Sequence, residues 1–446
     1  MAVSPLLAFI SVLLAWFHSE TKTNRRQKQP PSAHRQRQQD HSKMFIPTGH
    51  RNGLLERSDA FIPSFPTSMN RIRVVDPKLA HTAVHALTAC VVVHPRLPGL
   101  FDAYLKLKRE EGNAVEKAVY ADVQTWQQLA VRLITKRPVV FCGSNDNTVL
   151  RGVQPDDAVN RVGHREWAKV GTEEEIVGLR MCHYLSYDEM SLSALLGAST
   201  GTLFINSGTR DNRGKAQDAS LHEFSGVYVG LVGARYEIPG QMEWSYTVGE
   251  PIHRTSHMRK LWDEFFGPCE LDGKSVNEKR YKQRIKITLE SLFLEAERRA
   301  KDARKKAYVH VVGLGLGVWA VSDKQAPWLV EAAMEALDEL ELPNIAVVDF
   351  SYFSSECVSL NIARTSNQHI RIKFSNRNPA DKLVGEDEGL LLVASFAWDA
   401  NSYVGNEYFA GRLSASGDPA AACCSTIGEL LNPEINPDFP QRVVLL

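Results

Sequence analysis

The sequence has no excess of either charge and no disulfide framework. Lysine and arginine together number 52, as do aspartate and glutamate, so the formal net charge is zero. Balanced charge gives no electrostatic reason to expect a nucleic-acid partner. The seven cysteines are odd in number, scattered and without C-x-x-C spacing, so they fit neither a disulfide scaffold nor a zinc site. Buried thiols are the simpler interpretation.

Two common site motifs are also missing. The chain has no phosphate-binding G-x-x-x-x-G-K-[ST] and no H-E-x-x-H. His253 and His257 have the i, i+4 interval of a helical metal pair but lack a partner motif, so they are interpreted as structural histidines.

The N-terminus contains the one strongly biased stretch. Residues 6–17 are apolar over the length of a signal-peptide core, which is short for a membrane span. No basic residue precedes them, no Ala-x-Ala-like site follows, and Met44 is an alternative start. A cytoplasmic protein without a membrane partner is therefore favoured over the alternative, a secreted one. Residues 20–43 are basic and Gln-rich, so 1–45 are predicted to be an apolar start followed by a disordered tail.

Hydrophobic periodicity divides the rest of the chain. Apolar residues recur at helical spacing over 76–135, which predicts a helical extension over 46–137. Short β-rich runs follow, among them 242–248. After a charged helix predicted over 276–307, the predicted elements alternate as strand, helix and strand. The sequence therefore predicts an α/β catalytic domain over 138–446, with a mixed central sheet flanked by helices.

Polar loops follow three predicted strands of this domain. They are the glycine turn with Gly313, Gly315 and Gly317, the loop 375–381 with Asp381 and then Asp387, and the loop 398–409. Ligands bind at the carboxyl ends of strands in open α/β sheets, and glycines let backbone amides approach a phosphate. We expect the three loops to share one crevice. Taken singly, the glycines of the turn are almost as well explained by tight packing as by phosphate binding. The loop 375–381, taken singly, is explained by a solvated turn.

Four segments resemble a known family. They are 204–210 (Phe-Ile-Asn-Ser-Gly-Thr-Arg), 229–237 (Val-Gly-Leu-Val-Gly-Ala-Arg-Tyr-Glu), 311–319 (Val-Val-Gly-Leu-Gly-Leu-Gly-Val-Trp) and 398–409. Through them, roughly residues 138–433 resemble a macrodomain-like family of ADP-ribosylhydrolases that includes the Legionella effector MavL, which acts on ADP-ribosylated arginine. The resemblance implies a macrodomain-like core that binds ADP-ribose at the strand ends. The Gly-Gly-Gly stretch of ordinary macrodomains and the Gln-Glu-Glu of poly(ADP-ribose) glycohydrolases are absent.

The resemblance also implies site residues. Arginine-directed members rely on aspartates, and by position these are Asp399, Asp381 and Asp387, for which we predict catalytic roles. A carboxylate near the ribose stabilises the oxocarbenium character that develops when the glycosidic bond breaks. ADP-ribose is expected to be bound by Gly313, Gly315, Gly317, Asn401, Tyr403, Asn406 and Glu407. No cofactor or metal is required, although a carboxylate cluster that holds Mg²⁺ is an alternative.

The predicted activity is hydrolysis of the bond between ADP-ribose and arginine. The partners are then ADP-ribose and an ADP-ribosylated protein, of which ubiquitin is one candidate. One alternative is a non-catalytic reader of ADP-ribose. A less favoured one is an NAD-dependent oxidoreductase built on the Gly313 turn, for which Asp349 lies too far along the chain to be the ribose-binding acid.

Overall fold

The computed structural model describes residues 50–153, 162–249, 256–354, 357, 367, 369–399 and 401–446. Residues 49–446 belong to one compact unit. The predicted tail 1–45 and His253 lie outside the described residues, as does the side chain of His257.

Within the described residues, eight strands form one sheet in the order β10-β1-β4-β5-β9-β6-β7-β8. The strands are β1 (Cys90–Val93), β4 (Gly197–Leu203), β5 (Ser225–Leu231), β6 (Ala307–Val311), β7 (Ile345–Ser351), β8 (Arg371–Ser375), β9 (Leu391–Ala397) and β10 (Val443–Leu445). A separate antiparallel hairpin consists of β2 (Val140–Cys142) and β3 (Asn147–Val149).

Strand direction decides where a site can lie. β5, β9, β6, β7 and β8 are parallel to one another, so their carboxyl ends meet at one edge of the sheet. β4 is antiparallel to both of its neighbours, β1 and β5. The mixed and mostly parallel sheet confirms the predicted α/β class.

Helices cover both faces of the sheet. Those described are His50–Ala60, Ile72–Val75, Thr82–Thr88, Leu97–Glu111, Ala114–Tyr120, Trp126–Thr135, His164–Trp167, Tyr187–Ser193, Glu243–Thr247, Ser256–Phe266, Glu278–Ala303, Gln325–Glu339, Asn406–Phe409, Asp418–Cys424 and Ile427–Leu430, with a 3-10 turn at Gly385–Asp387. None of them combines the length and apolar character needed to cross a bilayer.

Two apolar cores lie on opposite faces of the sheet. Along β6, Val309 packs into the core shared with helices Glu278–Ala303 and Gln325–Glu339, whereas Tyr308 faces the core that contains Phe101. This alternation is the period-two pattern of a strand covered on both faces.

Two local expectations are wrong. The region 76–135 is not helical throughout, because β1 lies within it and pairs with β4 and β10 as a fully buried central strand. The β-rich run 242–248 is the helix Glu243–Thr247, whose Tyr246 ring stacks on Trp262 at 4.4 Å between centroids. In both cases packing against distant residues overrides local propensity.

Candidate active site

Asp399 follows β9 at the shared carboxyl edge of the parallel strands. The chain leaves the sheet there, and the Trp398 amide donates to the Leu231 carbonyl at the end of β5 at 2.8 Å. Asp399 is only 6 % exposed. Its Oδ1 accepts a hydrogen bond from the Asn401 amide at 2.9 Å, and its Oδ2 lies 3.4 Å from Asn406 Nδ2. The carboxyl group is therefore fixed on both oxygens.

Burial raises the pKa of Asp399 to about 7. The positive charge of Arg235 and the Asn401 amide lower this pKa, while the carboxylates of Asp146 and Glu237 raise it. Burial removes water that would solvate the anion, so the proton is held more tightly. A carboxyl group with a pKa near neutrality is suited to proton transfer.

Arg235, in the loop after β5, is a buried cation of this site. It is 3 % exposed and forms ion pairs with Asp146 at 2.7 Å and Glu237 at 2.6 Å. Its guanidinium lies 5.2 Å from the Phe141 ring centroid and 5.6 Å from that of Trp319. Its Nη1 is buried without a hydrogen-bond partner among the described residues. A buried N–H donor of a charged group normally has an acceptor, so this atom is available to a ligand.

Asp146 reaches the site from the hairpin between β2 and β3. It is fully buried, and its backbone adopts a left-handed conformation with φ of 51°, which Asp tolerates better than most residues. Its Oδ2 accepts a hydrogen bond from the Tyr187 hydroxyl at 2.5 Å. Tyr187 begins a helix that Ser186 and Glu189 close with a capping box. Burial raises the pKa of Asp146 despite its pairing with Arg235.

The loop after Asp399 is held by its own polar residues. The Asn406 side chain accepts from the Phe141 amide at 2.7 Å and donates to the Phe141 carbonyl at 3.0 Å. The Gly405 amide donates to the Asp418 carboxyl group at 2.9 Å, and burial raises the pKa of Asp418 to about 8. Asn406 and Asp418 thus fix the loop to the hairpin and to the helix Asp418–Cys424.

The other predicted residues of this loop differ in availability. Tyr403 is buried in a hydrophobic cluster, and Glu407 pairs with Arg412 at 2.9 Å. Asn401 is also buried, but its Oδ1 has no hydrogen-bond partner among the described residues. Of these side chains, Asn401 therefore has the clearest unused capacity to bind a ligand.

The glycine turn after β6 packs against the loop after β5. A Cβ on Gly233 would lie 2.2 Å from the Gly315 nitrogen, so the two backbones touch only because Gly233 has no side chain. Gly315 has a φ of 73°. The amides of Gly313, Gly315 and Gly317 have no acceptor among the described residues. They remain free to donate to an anionic group beside Asp399.

Asp381 and Asp387 lie apart from this cluster. Asp381 accepts from the Asn378 amide at 2.8 Å, in a loop that forms a β-bridge with His222. Asp387 precedes β9 and therefore lies near the amino end of the strand that Asp399 follows. Its carboxylate pairs with Arg371 and Lys373, both at 2.6 Å. The structure brings together Asp399 and the glycine turn but leaves Asp387 at the opposite edge, and the catalytic roles of Asp381 and Asp387 stay predictions.

Sequence reasoning did not select Asp146, Arg235 or Glu237 as site residues. Arg235 and Glu237 stand in the segment 229–237 that contributed to the resemblance, in the loop after β5, so the strand-end pattern used for Asp399 also points to them. Asp146 likewise stands in a polar loop, 143–152, that follows a short strand predicted over 138–142. Among the described residues, no group of three or more His, Cys, Asp and Glu side chains is arranged to hold a metal ion.

Comparison with known proteins identifies relatives over most of the chain. A family model described as ADP-ribosylhydrolase MavL-like matches residues 52–257 and 252–444. The chain is 36 % identical over 396 residues to the Drosophila melanogaster ADP-ribosylarginine hydrolase CG3568. This alignment covers 78 % of this chain and 76 % of the relative. It is 35 % identical over 407 residues to the Drosophila melanogaster ADP-ribosylarginine hydrolase CG2909. This alignment covers 81 % of this chain and 79 % of the relative.

Proposed function

The chain belongs to the MavL-like ADP-ribosylhydrolase family, and we propose that it hydrolyses the bond between ADP-ribose and arginine side chains of modified proteins. Both relatives above are named ADP-ribosylarginine hydrolases. The observation that carries the proposal is the buried Asp399 carboxyl group, which Asn401 and Asn406 fix and on which the positive charge of Arg235 acts.

Asp399 is assigned the central chemical role. Cleavage of the bond from ribose C1 to the guanidine nitrogen leaves positive charge on C1, and a nearby carboxylate stabilises it. Water adds to C1 and loses a proton to Asp399, and the departing guanidine is protonated to guanidinium. Since the pKa of Asp399 is about 7, the group both accepts and returns a proton near neutral pH.

The neighbouring groups are assigned to substrate binding. The Gly313, Gly315 and Gly317 amides and the unpartnered Arg235 Nη1 are N–H donors suited to the pyrophosphate. Asn401 Oδ1 is an unused acceptor suited to a ribose hydroxyl. Asn406 positions Phe141 and the loop.

We also assign a macrodomain-like core to residues 138–446, with the site at the carboxyl edge of its parallel strands. Residues 46–137 are assigned as a mainly helical extension that adds β1 to the same sheet. A cytoplasmic location is supported by the seven cysteines, all of which are free thiols. The substrate is an ADP-ribosylated protein, and ubiquitin is one candidate.

Release of free ADP-ribose tests the proposal. The protein is incubated with proteins ADP-ribosylated on arginine, on serine or on glutamate, and ADP-ribose is quantified by chromatography. We expect release from the arginine-linked substrate and loss of that release in Asp399→Asn. If ADP-ribose binds to the protein but no substrate releases it, the protein is a reader and the hydrolase assignment is wrong.

A further inference from the structure

An exposed apolar segment directly follows the glycine turn of the proposed site. It consists of residues 318–321, Val-Trp-Ala-Val, which directly follow the glycine turn and are called the rim segment below. Val318 is 88 % exposed and Val321 52 % exposed. Single exposed valines are ordinary on protein surfaces, but two of them flank a tryptophan here.

The rim segment is continuous with the site. The Trp319 ring lies 5.6 Å from the Arg235 guanidinium, and its partly buried side chain packs against the core that contains Phe141. Val318, the residue before Trp319, is exposed. A group bound beside Arg235 and Trp319 therefore lies next to the rim segment.

Local hydrogen bonds hold the rim segment in place. The Ala320 amide donates to the Gly317 carbonyl at 3.0 Å, and the Val321 amide donates to Gln325 Oε1 at 2.8 Å. Gln325 is fully buried at the start of the helix Gln325–Glu339. The valines are therefore presented by an anchored backbone, and little ordering entropy is lost when a partner covers them.

The chemistry of the rim segment selects its partner. ADP-ribose is polar and anionic, and the Val318 and Val321 side chains have no polar atom to offer it. A modified arginine is joined to a polypeptide by a short side chain, so its neighbouring residues stay just outside the site. We propose that the rim segment docks apolar residues of the substrate protein that flank the ADP-ribosylated arginine, an inference that rests on the proposed hydrolase function.

Three substrates test this docking: free ADP-ribosylarginine, and ADP-ribosylarginine peptides with leucine or with serine beside the arginine. Wild-type protein should hydrolyse the leucine peptide with a kcat/KM about fivefold above the serine peptide, as expected for partial burial of one aliphatic side chain. Val318→Ser should remove this preference and change hydrolysis of free ADP-ribosylarginine by less than about twofold, because only the polypeptide part is recognised there and no charge is placed beside the Gly317 amide.

Val384→Ser is the matched control. Val384 is 70 % exposed and precedes the turn Gly385–Asp387 at the opposite edge of the sheet, so this variant should keep the wild-type preference. A leucine preference that survives in Val318→Ser overturns the docking proposal. Equal loss on all three substrates also overturns it, since the rim would then contact ADP-ribose. If wild-type protein hydrolyses none of the three, the hydrolase function itself fails.

Discussion

Asp399→Asn separates the chemical role of Asp399 from its effect on stability. The substitution keeps the shape of the side chain and removes its charge. In the folded protein the pKa of this group rises from 3.8 to about 7 because the group is buried. We expect kcat/KM for arginine-linked ADP-ribose to fall by roughly 10³-fold, because the carboxylate no longer stabilises charge on C1.

The same substitution should stabilise the protein at alkaline pH. Since the folded pKa is raised, the folded state binds the proton more tightly, and this stabilisation is complete below pH 3.8 and lost as pH rises through 7. The shift of roughly three pKa units corresponds to about 4 kcal/mol as an upper bound. An asparagine side chain cannot ionise, so the variant avoids this loss.

Urea unfolding at pH 4, 6 and 8.5 measures the effect. The stability of the variant relative to wild type should increase steadily across this range. Asp387→Asn is the matched control, and its expected effect on stability has the opposite sign. Burial raises the pKa of Asp387, but the hydrogen bonds and charges of Lys373 and Arg371 together outweigh burial and lower this pKa. Its stability relative to wild type should therefore be lower at all three pH values and change little between pH 6 and 8.5. If the stability difference between Asp399→Asn and wild type does not depend on pH, Asp399 is not a buried acid with a raised pKa. If the variant turns over substrate at nearly the wild-type rate, Asp399 does not have the proposed chemical role.

Three further outcomes follow from the contacts of the site. Arg235→Met removes the charge that lowers the pKa of Asp399, so the acidic limb of the pH–rate profile should move to higher pH, whereas Arg235→Lys should move it less. Gly233→Ala places a Cβ against the glycine turn and should weaken ADP-ribose binding at least about tenfold by calorimetry. Gly99→Ala, in the helix Leu97–Glu111 and with no atom within 4 Å of its new Cβ, should bind almost normally. Asp387→Asn should reduce kcat/KM far less than Asp399→Asn, because its carboxylate is engaged at the other edge of the sheet; equal losses would restore its predicted catalytic role.

Part of the site is predictable from sequence because the ends of buried strands are marked by local composition. An apolar run followed by a polar loop is visible within about 20 residues, and in a parallel sheet such loops share one edge. This pattern predicts the positions of Asp399 and Gly313. It also predicts Asp387 beside them, but Asp387 precedes β9, and chain direction puts the two ends of a strand at opposite edges of the sheet.

Contacts between distant residues were beyond this reasoning. The pair Arg235 and Asp146 joins positions 89 residues apart, and the hairpin that carries Asp146 is not a strand of the main sheet. Another example is the run 197–201, which reads Gly-Ala-Ser-Thr-Gly and matches the G-x-S-x-G spacing of a nucleophile turn. In the fold its Ser199 lies within β4 and donates to Glu295 at 2.5 Å, so it is a structural residue.

By itself the sequence determined the α/β class, most strands around the site and the loop that carries Asp399, because periodicity and strand-end composition are local properties. Only the tertiary structure decided that Asp399 is buried with a pKa near 7, that Arg235 and Asp146 are its neighbours, and that Asp387 is not. Burial, charge pairing and strand direction depend on which distant segments pack together, and no local pattern encodes that.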